Sequence, residues 1–173
     1  MSDESKQSII TSWEGIQVIE NITDFKNPGV ETLEGRIGPL LKGDGSQAHF
    51  IEMPGDLYCH EHSHPTESLI FTVKGRWVLC SAGRRQLMRP GSLFWFKAGT
   101  PTGYEVPFPE PAFILIFKGD RDETDEEGFL EYLQGLKLRL ERAHEEGTPF
   151  KLSELSVDHP AKVFARGLGA VGA

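Results

Sequence analysis

Over roughly the first two thirds of the chain, apolar and polar residues alternate in short runs broken by glycine, proline and asparagine. Residues 13–19 alternate through Ile16 and Val18 and predict a first strand. Asn21 to Gly29 holds Asn, Asp and Pro-Gly, which are turn residues. A strand is expected within residues 30–41, interrupted by Gly35 and Gly38. After a turn at residues 42–46, another is expected over residues 47–53. Beyond Pro54-Gly55 come a histidine-bearing stretch, then runs at 69–73, 76–81, 86–89, 93–96, 104–106 and 112–118. Many short strands punctuated by Gly and Pro indicate an all-β sandwich or barrel.

The period changes after Gly119. Thr124 and Glu127 have the spacing of a capping box. Phe129, Leu133, Leu136 and Leu140 then recur at helical spacing, which predicts a helix over residues 125–146 stopped by Gly147. A short second helix is expected from Asp158, with Pro160 in its first turn. Two regions result: a barrel with N-terminal strands over 1–119, and a helical extension over 120–173 packed on it. The apolar stripe also matches a short heptad run, so pairing with a second copy is the alternative. Residues 1–8 and the tail from Gly167 are expected to be loose.

Composition narrows the function. The chain has 173 residues and reads as one domain. A net charge of −8 argues against nucleic acid as the main partner, because phosphate contacts need a basic surface. No helix-turn-helix pattern is present. No apolar run of about 18 residues exists, so no membrane partner is expected. The N-terminus lacks a basic segment followed by an apolar one, so no signal peptide is expected. Cys59 and Cys80 are the only cysteines and are expected to be free thiols in the cytoplasm.

Three of the six histidines fall at 60, 62 and 64. In a regular strand alternate side chains share a face, so these three point one way and Cys59, Glu61 and Ser63 the other. Neutral imidazole suits a divalent metal. The outer two are about 13 Å apart at ~3.3 Å per residue, so one ion reaches all three only across a bulge. Glu67, past the turn at Pro65-Thr66, is a candidate ligand or general base. Tyr104 and Glu105 alternate, and whichever faces the interior is a candidate for the site. The consecutive apolar residues Phe94, Trp95 and Phe96 suggest burial on both faces, as when a sheet packs on another subunit.

Residues 47–118 resemble the cupin superfamily of small jelly-roll β-barrels. The first cupin motif, G-x5-H-x-H-x3/4-E-x6-G, is represented by Gly55, the histidines, Glu67 and Gly75. The second, G-x5-P-x-G-x2-H-x3-N, is represented by the run from Pro90-Gly91 to Thr102. Two registers fit the first motif. With His62 and His64 as the pair, Gly75 falls in place and Ser68 takes the glutamate slot. With His60 and His62, Glu67 takes that slot and the glycines are each off by one. In the second motif Thr102 stands where the family has its last histidine and Lys97 where it has its proline.

The resemblance implies a divalent transition metal (Fe, Mn, Ni or Zn) held by His60, His62, His64 and Glu67, with Glu67 and Tyr104 as catalytic candidates. Tyr104, Glu105, Glu52 or water would replace the absent histidine. It further implies a homodimer. Two functions follow. One is a metal-dependent enzyme of the oxygenase or isomerase/lyase kind acting on a small organic molecule. The other is a metal-free small-molecule-binding cupin acting as a sensor or accessory protein.

Overall fold

The computed structural model describes residues 10–119 and 125–170. Twelve strands precede two helices. They are β1 (Ile10–Trp13), β2 (Ile16–Ile19), β3 (Val30–Thr32), β4 (Gly35–Lys42), β5 (Gln47–Met53), β6 (Tyr58–His62), β7 (Ser68–Lys74), β8 (Trp77–Ser81), β9 (Arg84–Met88), β10 (Leu93–Phe96), β11 (Thr102–Glu105), β12 (Ala112–Lys118), α1 (Glu126–Glu145) and α2 (Pro160–Gly167).

β1 and β2 form a hairpin. The others form a six-stranded sheet, β10-β7-β12-β5-β4-β3, and a four-stranded sheet, β6-β11-β8-β9. All the pairings are antiparallel, and strands distant in sequence lie side by side, as in a jelly roll. The two sheets make a jelly-roll β-barrel, and the chain continues into a helical C-terminal extension.

Alternation along each strand decides what is inside. From β12, Ala112, Ile114 and Ile116 point between the sheets, where they meet Met53, Ile70 and Phe96. The four-stranded sheet contributes Cys59, Trp77, Met88 and Tyr104 to the same core. Trp77 is fully buried; its Nε1 donates to Thr72 Oγ1 at 2.9 Å, so the ring enters the core with no unpaired polar atom.

The outer face of the six-stranded sheet is covered at one end only. Leu40, Phe50 and Phe113 pack under Ile19 and Ile22 from the N-terminal segment. Arg36, nearly buried, donates to the Asn27 and Phe25 carbonyls and fixes that segment against the sheet. At the other end, Leu69, Leu93, Trp95 and Phe117 remain 45%, 61%, 56% and 43% exposed. Phe94 and Phe96 turn inward, whereas Trp95 turns outward.

Helix α1 starts at Asp125, whose carboxylate accepts from Gly128 N at 2.7 Å. Thr124, expected to open the capping box, lies outside the described residues, as do 1–9, the run 120–124 and the tail 171–173. The helix lays Phe129 and Leu133 on Val30 and Ile37, with Ile51, Leu130 and Leu136 around them. Ile37 and Ile51 are paired residues of β4 and β5, and Ile51 also packs against the central core. Helix α1 therefore closes the side of the barrel at β3 and β4.

Helix α2 has Pro160 at its first turn, as the sequence predicts, and lies beside Gly83 and Arg85. No helix among the described residues is long and apolar enough to cross a membrane. Cys59 and Cys80 are both free and buried.

Candidate functional site

The interior between the sheets holds a cavity of about 100 Å³. Ile37, Ile51, Met53, Ile70, Phe96 and Ile116 form its apolar wall, and Phe129, Leu133 and Leu136 of α1 close it. Glu34, Cys59, His62, His64, Ser68 and Tyr104 form a polar stretch of its lining, and His49, Lys118 and Tyr132 are further polar residues around it. An apolar body with a few convergent polar groups is the usual form of a small-molecule site.

The polar stretch depends on an irregularity in β6. Tyr104 pairs with Cys59, yet Thr102, two residues earlier, pairs with His62, three residues later. One extra residue in β6 makes a β-bulge there. Gly103 of β11 lies directly opposite; a Cβ on it would come 3.0 Å from the Cys59 carbonyl oxygen. Strict alternation would oppose Cys59 to His62. The bulge turns both inward, with Cys59 Sγ 3.8 Å from His62 Nδ1.

His62 Nδ1 lies 3.0 Å from the His60 carbonyl oxygen. A carbonyl only accepts, so this bond puts the ring proton on Nδ1. His64 follows on the same side, its ring centroid 4.7 Å from that of His62.

The bulge also corrects the expected position of His60. Its side chain is exposed, does not line the cavity, and lies edge-on to Phe150. Glu67 is corrected too. It sits on the outer surface, accepting from Trp95 Nε1 at 2.7 Å, while Ser68 turns inward and is 2% exposed. Of the two registers, the one pairing His62 with His64 and placing Ser68 in the glutamate slot matches the geometry.

Thr102 is buried opposite His62, its Oγ1 3.2 Å from Tyr104 Oη. Tyr104 faces the cavity and stacks on Trp77, with ring centroids 5.3 Å apart. Burial pushes its phenol well above the ordinary value, so it keeps its proton and acts as a donor. Glu105 points the other way, into an ion pair with Arg85 at 2.9 Å. Glu52 pairs with Arg36 and Phe113 on the face of its sheet that turns away from the cavity. Neither fills the place of the missing histidine.

Two further residues, Glu34 and Cys59, belong to the polar stretch. Glu34 occupies the tip of the β3–β4 hairpin, whose closing pair is Thr32 and Gly35. Glu34 N donates to Thr32 Oγ1 at 3.1 Å, and that hydroxyl donates to the Gly35 carbonyl at 2.8 Å. Gly35 has φ +114°, and a Cβ there would overlap the Glu52 carbonyl oxygen. So tethered, Glu34 accepts from Cys59 Sγ at 3.4 Å. Burial first, and the Glu34 carboxylate second, push the Cys59 thiol well above its ordinary value. Cys59 is therefore a protonated thiol rather than a nucleophile.

Glu61, on the outer side of the bulge, accepts from Cys80 Sγ at 2.9 Å and from the amides of Ala82 and Gly83 at 3.1 and 3.0 Å. Its carboxyl is held below the ordinary range, chiefly by the Cys80 and Gly83 bonds. The Cys80 thiol is pushed up to about 12, mainly by burial and then by Glu61.

The family's four metal slots thus hold His62, His64, Ser68 and Thr102. Hydroxyls are weak ligands for a divalent transition ion. That four-residue set does not fit a metal, and the set expected from His60, His62, His64 and Glu67 is not assembled.

A family model described as the AraC-like ligand binding domain matches residues 45–148, from β5 through α1. No curated protein matches. Among solved structures, the polyketide cyclase RemF from Streptomyces resistomycificus is 21% identical over 62% of this chain and 82% of its own, with a TM-score of 0.48. A cupin 2 conserved barrel domain protein from Salinispora arenicola is 16% identical over 54% of this chain and 82% of its own, also with a TM-score of 0.48. The DMSP lyase DddQ from Ruegeria pomeroyi is 25% identical over 48% of this chain, with a TM-score of 0.43. The chain spans only 42% of that lyase's length.

Proposed function

This chain belongs to the family of AraC-like ligand-binding domains, and we propose that its barrel takes up one small organic molecule, apolar over most of its surface and polar at one end. The observation that carries this reading is the cavity itself. Its wall is largely aliphatic and aromatic, with a polar stretch formed by Glu34, Cys59, His62, His64, Ser68 and Tyr104. Size limits the occupant. A cavity of roughly 150 Å³ accepts benzene, so about 100 Å³ limits the occupant to a short chain or at most a single ring. Ser68 supports the polar head: its buried Oγ has no hydrogen-bond partner among the described residues. The Tyr104 phenol, held protonated, is a second donor for that head.

The test is thermal denaturation with benzoate, phenol and butyrate, and with naphthoate as the oversized control. A ligand that binds only the folded state raises Tm by mass action. At least one small probe is expected to raise it in wild type and less in Ser68→Ala, with naphthoate weaker. No shift from any of the three overturns the reading.

A second reading, an enzyme of the isomerase or lyase kind, has one observation in its favour. Glu34 and Cys59 share a proton at the wall of the cavity, where a carboxylate has the chemistry to accept a proton from a bound substrate. It predicts turnover that Glu34→Gln abolishes while probe binding persists.

We also propose a homodimer formed through the open end of the six-stranded sheet. Trp95 of edge strand β10 pairs with Leu69, which pairs with Phe117; Leu93 pairs with Phe71. Leu69, Leu93, Trp95 and Phe117 make one exposed apolar face, with Phe71 half-buried beside them.

A further inference from the structure

We infer that Glu34, Cys59 and His62 form a three-ligand site for a zinc-like divalent ion, with a ligand set different from the four-residue set of the cupin motifs. One carboxylate oxygen, the thiol sulfur and one imidazole nitrogen lie within 4.8 Å of one another. A tetrahedral zinc ion with Zn–S of ~2.3 Å and Zn–N or Zn–O of ~2.0 Å holds its sulfur about 3.5 Å from each lighter donor. Here Sγ stands 3.4 Å from Glu34 Oε1 and 3.8 Å from His62 Nδ1. The donors are already at ligand spacing before an ion arrives.

Charge supports the assignment. A carboxylate and a thiolate carry two negative charges, which cancel a divalent cation and leave a neutral site beside an apolar cavity. Mixed N, O and S donors favour zinc over the hard cations magnesium and calcium, which take oxygen ligands. Binding is an exchange. The ion takes the place of the proton shared between Cys59 and Glu34, and that proton leaves to solvent. His62 Nδ1 gives up its bond to the His60 carbonyl, and the ring proton moves to Nε2.

Two backbone features bring the donors together. Gly35 holds Glu34 at the hairpin tip, and the β6 bulge turns Cys59 to the same side as His62. Nothing in core packing requires a buried thiol to face a carboxylate. Three protein ligands leave one position of a tetrahedral ion open, and all three line the cavity. Use of that position by the bound molecule rests on the small-molecule reading above; the ligand set does not.

The test uses the full chain without a histidine tag, stripped with chelator and titrated with Zn²⁺ and with Co²⁺. Wild type is expected to take one equivalent, and the cobalt form to show a near-ultraviolet thiolate-to-metal charge-transfer band. Cys59→Ala is expected to lose the band and bind zinc roughly a hundredfold more weakly. Glu34→Gln is expected to keep the band and weaken binding by about tenfold or more. Cys80→Ala and Glu67→Gln are expected to match wild type.

Uptake below roughly a tenth of an equivalent by wild type overturns the proposal, as does a band or affinity that survives Cys59→Ala. Unchanged affinity in Glu34→Gln overturns it even if Cys59→Ala fails to fold. The organic probes are assayed separately in chelator. Their failure with intact metal binding removes the small-molecule reading and leaves the ligand set standing.

Discussion

Glu61 ties the bulged strand to the β8–β9 turn through three hydrogen bonds, and its charge matters to stability. Its folded-state carboxyl titrates below the ordinary value. A depressed carboxyl contributes stability above the unfolded pKa and loses it as pH falls through the folded one. Glu61→Gln is therefore expected to lower Tm near neutrality, and the gap to wild type is expected to close as pH drops below the carboxylate range. A pH-independent gap would contradict this. The same residues mark the limits of reading single positions from sequence. His62 belongs to both motif registers and lines the cavity. Alternation sets Cys59 on the face opposite His62, and no residue type announces the bulge that brings the two to one side. Glu34 left no trace beyond the glycine after it; a carboxylate at a hairpin tip is ordinarily a solvated turn residue.

Elements were far more legible than single residues. Most strand runs, the helix around 125–146 and the proline-started second helix follow from period and turn chemistry, whereas the expected strand over 13–19 holds the end of β1, a turn and β2, and the one within 30–41 divides into β3 and β4. Patterning says which face of an element is buried, not what covers it. The stripe of α1 was plain in Phe129 and Leu133, but its place over the cavity depends on the barrel's open side at β3 and β4. The β3–β4 hairpin is where a local change acts on the site. Gly35→Ala places a side chain at φ +114° against the Glu52 backbone. Strain of this kind costs on the order of 1–3 kcal/mol. Urea denaturation is expected to report at least that loss, whereas Gly45→Ala, with open space around it, is expected to cost far less.

For the whole molecule, the architecture was readable because Gly- and Pro-punctuated strands and two partial motifs agreed with one another. The cavity was not, because it forms from eight separate elements and the β3–β4 turn. Assembly is a prediction at this scale. Sedimentation is expected to find a dimer, and Leu93→Glu, which puts a charge on the open sheet face, is expected to find a monomer with a near-native Tm. A dimer in both would place the interface elsewhere.

The central claim concerns the interior, and isoleucine methyl groups report on it directly. Ile37, Ile51, Ile70 and Ile116 line the cavity, whereas Ile16, Ile19 and Ile22 belong to the N-terminal segment. With isoleucine methyls labelled and the tightest-binding small probe added, nuclear Overhauser contacts are expected from the probe to the first four methyls and not to the other three. Contacts only to Ile16, Ile19 or Ile22, or contacts to no methyl in the presence of saturating probe, would contradict the account.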